Sequence, residues 1–210
     1  MNYAVKVVYQ GDDGETCVEH YQNGVMSQSL ATLTDGTIEK YTYFPKGGAK
    51  TLSILRPNGD YQNTWWHENG NPKQDERLQD GSYALHVHAE SGVLISRKFR
   101  DADGTHGEDF YDENGNYLGY SHYEPDGDYQ IVIDYPDGKR KSRESLTGGN
   151  YVKSEYDSDD HLTYEKYDDK YGNYEAFFSG GKLIKFVENG VTYTDPETLR
   201  QRATRWGIIQ

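Results

Sequence analysis

Apolar and polar residues alternate along most of the chain, in short stretches separated by turns that contain glycine. In residues 83–89, Tyr-Ala-Leu-His-Val-His-Ala, every second residue from Tyr83 onward is apolar, so these apolar side chains share one face. Residues 3–9 and 129–135 repeat this pattern. Successive residues of a strand point to opposite faces of a sheet, so a period of two predicts half-buried β-strands. Other stretches, such as residues 151–156, carry aromatic and charged residues on both faces. They predict a sheet that is wet on part of its second side.

Turn signals recur at a narrow and nearly constant spacing along the chain. Most are Asp-Gly, Asn-Gly or Gly-Gly pairs, in which glycine accepts a positive φ and Asn or Asp bonds to nearby backbone. Each interval therefore predicts one strand and one hairpin loop of three to four residues. The signals stand at Gly14, Gly24, Gly36, Gly48, Gly59, Gly70, Gly81, Gly92, Gly104, Gly115, Gly127, Gly138, Gly149, Asp160, Gly172, Gly181 and Gly190.

This spacing predicts an all-β protein, an antiparallel meander of about 17 short strands in one curved or rolled sheet. No linker or shift in composition divides the array, so residues 1–193 are predicted to be one hairpin-repeat domain. A four-bladed β-propeller is the alternative closure, because each blade takes four strands. The sequence lacks the longer period of a blade signature, which favours the single sheet.

The end of the chain has a different pattern. Thr194 or Asp195 can cap a helix N-terminus, Pro196 suits its first turn, and Leu199, Ala203 and Trp206 follow at helical spacing. We therefore predict a helix over residues 196–206. Residues 194–210 would form a helical cap on the last strands of the same domain.

Composition indicates a folded protein with a thin core. Leu, Ile, Val and Phe make up only 37 of the 210 residues, and the net charge is -13, a combination typical of disorder. The 20 Tyr and 3 Trp argue against disorder, because an aromatic ring can cover a half-solvated sheet. With 35 acidic and 22 basic residues, the chain should repel nucleic acid and anionic membranes and favour a basic protein partner.

Cellular location follows from what the sequence lacks. No apolar run is long enough for a signal peptide or a membrane span, so we expect a cytoplasmic protein. Cys17 is the single cysteine, which excludes an internal disulfide and any cysteine-based zinc site. We expect it to be a small, half-buried strand residue.

The sequence offers little for catalysis or metal binding. His86 and His88 lie on one face of a strand, but no third ligand is evident. The turns at 101–104 and 157–160 have acids at alternate positions, as part of a calcium loop would, without the remaining ligands. No nucleophile motif, zinc-protease motif or phosphate-binding glycine loop is present. We therefore expect no enzyme activity, no cofactor and no bound metal.

Aromatic and acidic residues are the better candidates for function. Trp65 and Trp66 are neighbours on one predicted strand, so they must point to opposite faces. They either cover the two sides of the sheet or, where one faces water, anchor a partner, since Trp and Tyr are enriched in binding hot spots. The residues that we predict to bind a partner are Trp65, Trp66, Tyr111, Asp157, Asp159 and Asp160.

Several turns resemble those of a known repeat family. The units His-Tyr-Gln-Asn-Gly at 20–24, Trp-Trp-His-Glu-Asn-Gly at 65–70, Phe-Tyr-Asp-Glu-Asn-Gly at 110–115 and Tyr-Glu-Pro-Asp-Gly at 123–127 resemble the variant MORN repeat. The unit Tyr-Asp-Glu-Asn-Gly at 111–115 also looks like the tyrosine-aspartate repeat of large bacterial secreted shells. The resemblance implies a repeat unit of two strands, twice as long as one turn interval. Because bacterial variant MORN proteins include an antitoxin-like group, it also implies an immunity role.

The sequence supports one functional hypothesis and two rival hypotheses. The chain is expected to be an immunity or antitoxin protein that neutralises a basic toxin by stoichiometric binding, without catalysis. A carbohydrate- or cell-wall-binding module is a rival, because Tyr and Trp platforms with Asp and Asn suit sugars. A structural repeat scaffold is another.

Overall fold

The computed structural model describes residues 2–11 and 13–208. It confirms the predicted fold class: eighteen antiparallel strands follow one another as a meander, and one short helix follows the last strand. The chain divides into two compact units. Unit 1 comprises residues 1–104 and 113–115, and unit 2 comprises residues 105–112 and 116–210. No helix in the described chain is long and apolar enough to span a membrane.

Unit 1 contains nine strands, and each pairs with the next along the chain. They are β1 (Tyr3–Gln10), β2 (Thr16–Gln22), β3 (Val25–Thr32), β4 (Ile38–Tyr43), β5 (Ala49–Leu55), β6 (Tyr61–Trp66), β7 (Pro72–Gln79), β8 (Ser82–His88) and β9 (Leu94–Arg100).

Unit 2 contains nine further strands with the same pairing of neighbours, and the helix. They are β10 (His106–Tyr111), β11 (Tyr117–Tyr123), β12 (Tyr129–Asp134), β13 (Arg140–Thr147), β14 (Asn150–Tyr156), β15 (Leu162–Asp169), β16 (Gly172–Ser179), β17 (Lys182–Glu188), β18 (Val191–Tyr193) and α1 (Pro196–Arg205). Within each unit the pairing runs on without the break that would separate four-stranded blades, which argues against the propeller.

A β-bulge reveals that the true repeat is a pair of strands. The strand register shifts at the end of every second strand, so the residue at this position recurs once in every two turn intervals. A bulge adds one unpaired residue and sharpens the local twist. We call the side of each unit's sheet that carries these residues the bulge face, and the opposite side the flat face. The bulge-face positions are Tyr21, Tyr43, Trp66 and His88 in unit 1, and Tyr111, Asp134, Tyr156 and Phe178 in unit 2.

Two kinds of turn connect the strands. Two-residue turns such as Asn23-Gly24 and Asp80-Gly81 have positive φ at both positions, which the right-handed twist of a hairpin favours. The other turns leave five residues between the strands. In these loops, as at Arg56, the first amide bonds to the fifth carbonyl while the glycine amide bonds to the first carbonyl. Most loops that follow a bulge are of this second kind. We call the five-residue loops that follow a bulge the bulge loops.

The core lies at the C-terminal end of unit 2, on the bulge face. Tyr174, Ala176 and Phe186 are buried there together with Leu199 of α1, and Ala176 and Phe186 have no exposed surface. The predicted helix is thus confirmed. Asp195 caps it by accepting a hydrogen bond of 2.9 Å from the amide of Thr198.

A buried carboxylate fixes the helix to the sheet. Glu188 of β17 is 6% exposed and accepts hydrogen bonds from Arg202 Nη1 at 2.7 Å and from Trp206 Nε1 at 2.9 Å. A buried charge is tolerable only where it is paired and hydrogen-bonded, and Glu188 meets both conditions. By contrast, among the described residues of unit 1, the buried ones are Thr37 and Thr64.

Candidate binding surface

The negative charge of the protein resides in its loops. The eighteen strands hold 14 acidic and 15 basic residues, so their charge is balanced. The described loops hold 19 acidic residues and 4 basic ones, and α1 holds 1 and 3. A partner attracted by the net charge would therefore meet it at the ends of the strands.

Some loop carboxylates stabilise the turns themselves. Asp35 accepts a bond of 2.8 Å from the amide of Thr37, and Asp157 accepts one of 2.9 Å from the amide of His161. These backbone hydrogen bonds are the main reason that the pKa of each carboxyl lies below its usual range. Turn chemistry thus accounts for these acids without a partner.

Other loop acids have no such role. Glu68, Glu90 and Glu113, all assigned to unit 1, occupy the second position of three successive bulge loops and are exposed. Their carboxylates make no hydrogen bond or ion pair with any residue in the described part of the chain. Because these loops follow every second strand, two strand spacings separate neighbouring members of this set, which puts them roughly 10 Å apart. We call the three residues the glutamate row.

Two of the three loops that carry the glutamate row, those of Glu68 and Glu90, are joined by hydrogen bonds. Asn69 Nδ2 and Asn71 Nδ2 both donate to the carbonyl oxygen of Glu90, at 2.8 and 2.9 Å. Unit 2 has similar ties: Tyr135 Oη donates to the carbonyl of Tyr156 at 3.1 Å, and Lys139 Nζ to that of Ser158 at 2.7 Å. These bonds hold neighbouring loops in fixed positions, and preorganised groups lose less conformational entropy when they bind.

Five of the six residues predicted to bind a partner lie at bulge positions or in bulge loops. Trp66 ends β6 and Tyr111 ends β10, each at a bulge. The three acids share the loop after β14, where Asp159 and Asp160 are exposed and Asp157 is half-buried as a turn cap. The two tryptophans belong to unit 1, and the other four residues to unit 2.

Trp65 is the exception, because it lies on the flat face of unit 1. There it pairs with Thr51 and Gln74, whereas Trp66 pairs with Pro72 on the bulge face. Both indole rings are half-buried. The neighbouring tryptophans thus cover opposite sides of the sheet.

The histidine pair of β8 lies beside a carboxylate. His86 pairs with Asp75 of β7, and Asp75 accepts a bond of 2.8 Å from Thr64 Oγ1. Burial, together with the charge of His86, lowers the pKa of His88, which favours its neutral form at neutral pH. No group of three or more His, Cys, Asp or Glu residues in the described part of the chain could hold a metal ion. Cys17 is a free, half-buried thiol on β2.

The flat face carries a motif that sequence reasoning missed. In unit 2, Tyr129 Oη donates to Glu144 Oε1 at 2.9 Å, and Tyr151 lies on the far side of the same carboxylate. Burial and this hydrogen bond raise the pKa of Tyr129 to about 12. Strand pairing places Leu146 between the two tyrosines.

Unit 1 contains the same arrangement, with every member at one constant offset in the sequence. Tyr61 Oη donates to Glu76 Oε1 at 3.2 Å, Tyr83 lies beyond that carboxylate, and Leu78 stands between the two tyrosines. We call each set the Tyr-Glu-Tyr motif of its unit.

A hydrogen bond between the turns that flank the motif's strands also recurs in both units. Asp60 accepts from the amide of Asp80 in unit 1, and Asp128 accepts from that of Gly148 in unit 2. The offset between these two bonds is the same as that between the motifs. The repetition therefore extends from the strands into the turns that flank them.

The sequence contained signals for these missed features. Aromatic residues or histidine fill seven of the eight bulge-face positions, but alternation within single strands hides this longer period. The Tyr-Glu-Tyr motif would have emerged from a search for self-similarity at the offset that separates Tyr61 from Tyr129. Glu188 gave no sequence signal, because its burial depends on the position of α1.

Comparisons with known proteins give no family assignment. No family model matches the chain, and no curated protein matches it. Among solved structures, it is similar to a chain of the Tc holotoxin pore of Photorhabdus luminescens, with 12% identity and a TM-score of 0.24. The match covers 88% of this protein but 14% of that chain.

Proposed function

We propose that this protein binds a basic protein partner stoichiometrically, without catalysis, in the manner of an immunity or antitoxin protein. The partner meets the bulge-loop edge of unit 1, where the glutamate row supplies charge and Trp66 supplies apolar contact. Complementary charge steers a partner of opposite sign and fixes its orientation, whereas the few residues that contribute most of the affinity are enriched in Trp and Tyr.

The observation that carries the proposal is the glutamate row itself. Three exposed carboxylates occupy one repeated loop position and form no hydrogen bond or ion pair with a described residue of the chain. Acids that merely build turns, such as Asp35, bond to backbone amides. The hydrogen bonds between the loops of Glu68 and Glu90 also hold two members of the row in place, so binding there would cost little ordering of the backbone.

The first experiment identifies the partner. Tagged protein is incubated with lysate of its own organism at low and at high salt, and the captured proteins are identified and quantified by mass spectrometry. We expect one basic protein in near-equal molar amount, reduced at high salt because exposed charges are screened. Capture of no protein at either salt would reject the proposal and leave carbohydrate binding to be tested on glycan arrays.

The tryptophan pair provides an internal control for the binding face. Trp66→Ala should weaken binding of the captured partner by at least about 30-fold, which corresponds to about 2 kcal/mol at a hot spot. Trp65→Ala removes the same side chain from the flat face and should leave affinity within about threefold of wild type. Circular dichroism of both variants checks that folding is retained. Equal losses for the two variants would contradict the assignment of the bulge side.

A further inference from the structure

A groove in unit 2 lies between β17 and the first turn of α1. It has a volume of about 530 Å³, and its walls are largely aliphatic. Leu183, Ile184, Pro196 and Leu199 form these walls, and the side chain of Ile184 is 53% exposed. The hydrogen bonds of Glu188 that fix α1 involve none of these residues, whereas Leu199 and Leu183 also pack into the buried core under α1.

The backbone of β17 is open along this groove. β18 pairs with Phe186, Val187 and Glu188 alone, so the first half of β17 has a neighbour on one edge, β16. Ser179 and Lys182 close the two-residue turn at 180–181 and exchange their hydrogen bonds. In an antiparallel pair the next residue directs its N–H and C=O to the opposite edge, so Leu183 directs both toward the groove.

The charge of the groove is opposite to that of the protein. Lys182 and Arg200 line it, and none of the described residues that line it is acidic. In a chain of net charge -13, this combination of aliphatic walls and two cations is suited to a ligand with aliphatic and acidic groups.

We infer that the groove binds an extended, acidic peptide segment of another protein by strand addition to β17. The segment continues the line of β18 along the open edge and pairs with the backbone of Leu183. One aliphatic side chain enters the groove against Ile184 and Leu199, and flanking carboxylates meet Lys182 and Arg200. Strand addition gives affinity through main-chain bonds and specificity through alternate side chains. The open stretch, residues 182–185, is about 13 Å long and fits a peptide core of equal length. Ile184 is the unpaired residue of a bulge in this stretch, so the main-chain bonds to the peptide are those of Leu183.

The test uses a fluorescent peptide, acetylated and amidated, of sequence Glu-Val-Glu-Leu-Glu-Val, and measures its anisotropy with the full-length protein. Three matched peptides are compared: one with Lys in place of each Glu, one with scrambled order, and one methylated on the central backbone nitrogens. We expect saturable binding of the first peptide, and at least about tenfold weaker binding of the lysine and methylated peptides.

Variants locate the site. Lys182→Glu combined with Arg200→Glu should weaken binding at least about tenfold, while Lys170→Glu, at the opposite end of the strands, should leave it unchanged. Ile184→Ala supplies a second, uncharged test and should weaken it about threefold. Trp206 fluorescence confirms that α1 stays docked in each variant. Absence of saturable binding, equal binding of the methylated peptide, or full affinity in the double variant would each overturn the inference.

Discussion

Unit 2 covers the last strands of its sheet with a helix, whereas unit 1 consists, in its described residues, of strands and turns. The two units share the bulged hairpin and the Tyr-Glu-Tyr motif, so the difference lies in what is packed on the bulge face. In unit 2 that face holds fully buried residues such as Phe186, with Glu188 beside them. In unit 1 the same face keeps Tyr43 and Trp66 half-buried.

The comparison separates two ways to stabilise one architecture. Unit 2 concentrates stability in a few buried contacts, whose loss is costly because no water can replace them. Unit 1 distributes stability over cross-strand pairs, each worth a fraction of a kcal/mol. Side chains that are not committed to a core remain available for a partner, which is why we assign binding of the basic partner to unit 1.

The largest effect is expected at Phe186. Phe186→Ala removes a fully buried ring and leaves a cavity under α1, so the free energy of unfolding should fall by about 3–5 kcal/mol. Ile54→Ala on the half-buried bulge face of unit 1 should cost about 1 kcal/mol. Urea denaturation, followed by far-UV circular dichroism, measures both. Similar losses would show that stability is not concentrated as described.

The next effect concerns the carboxylate that fixes the helix. Glu188→Gln keeps the shape of the side chain but removes the charge that faces Arg202, so we expect a loss of about 2 kcal/mol and a shift in Trp206 emission. Glu175→Gln is a matched substitution on β16 of the same unit, on the flat face, which is opposite the face that α1 covers. It should leave Trp206 emission unaltered. An undisturbed Trp206 in the Glu188 variant would contradict the anchoring role.

The Tyr-Glu-Tyr motifs predict a smaller, pH-dependent effect. The pKa of Tyr129 is raised to about 12 from an ordinary value near 10, so the folded state favours the neutral phenol. The contribution of the neutral Tyr129 phenol to the stability of the fold is complete below pH 10 and is lost as the pH rises through about 12. Tyr129→Phe should cost about 1 kcal/mol at neutral pH and reduce this alkaline loss. Stability curves between neutral and alkaline pH, with tyrosinate absorbance, would reveal it.

The same substitution in unit 1 tests whether the two motifs are equivalent. Tyr61 donates to Glu76 at 3.2 Å rather than 2.9 Å, and its pKa is raised chiefly by burial. Tyr61→Phe should therefore cost less than Tyr129→Phe at neutral pH, again without unfolding the protein. A larger cost in unit 1 would show that the motif has a heavier structural role there.

Much of the fold followed from the sequence because its determinants are local. Alternation defined the strands, Asn-Gly and Asp-Gly pairs defined the turns, and Asp195 with Pro196 marked the helix start. Features that depend on contacts distant in sequence did not follow. The burial of Glu188 requires α1 to fold back on β17, and the carboxylate of Glu76 is recognisable only once β6, β7 and β8 are paired.

The candidate site was predicted in part. Trp66 was among the residues predicted from the sequence, whereas the loop at 157–160, also predicted, belongs to unit 2 and is not part of the proposed site. The glutamate row was not predicted, since a single exposed Glu in a loop carries no information. Its members share a position only in relation to the bulge, and strand register sets that position.

The central claim is that the glutamate row of unit 1 binds a basic partner, and a three-bait capture experiment tests it most directly. The baits are wild type, the variant Glu68→Gln with Glu90→Gln and Glu113→Gln, and a control, Glu15→Gln with Glu39→Gln and Glu197→Gln, that loses the same charge elsewhere. Both variants should keep wild-type stability within about 0.5 kcal/mol. We predict that the basic protein captured by wild type is retained by the control bait and reduced roughly tenfold by the glutamate-row bait. Equal capture by all three baits would contradict the account.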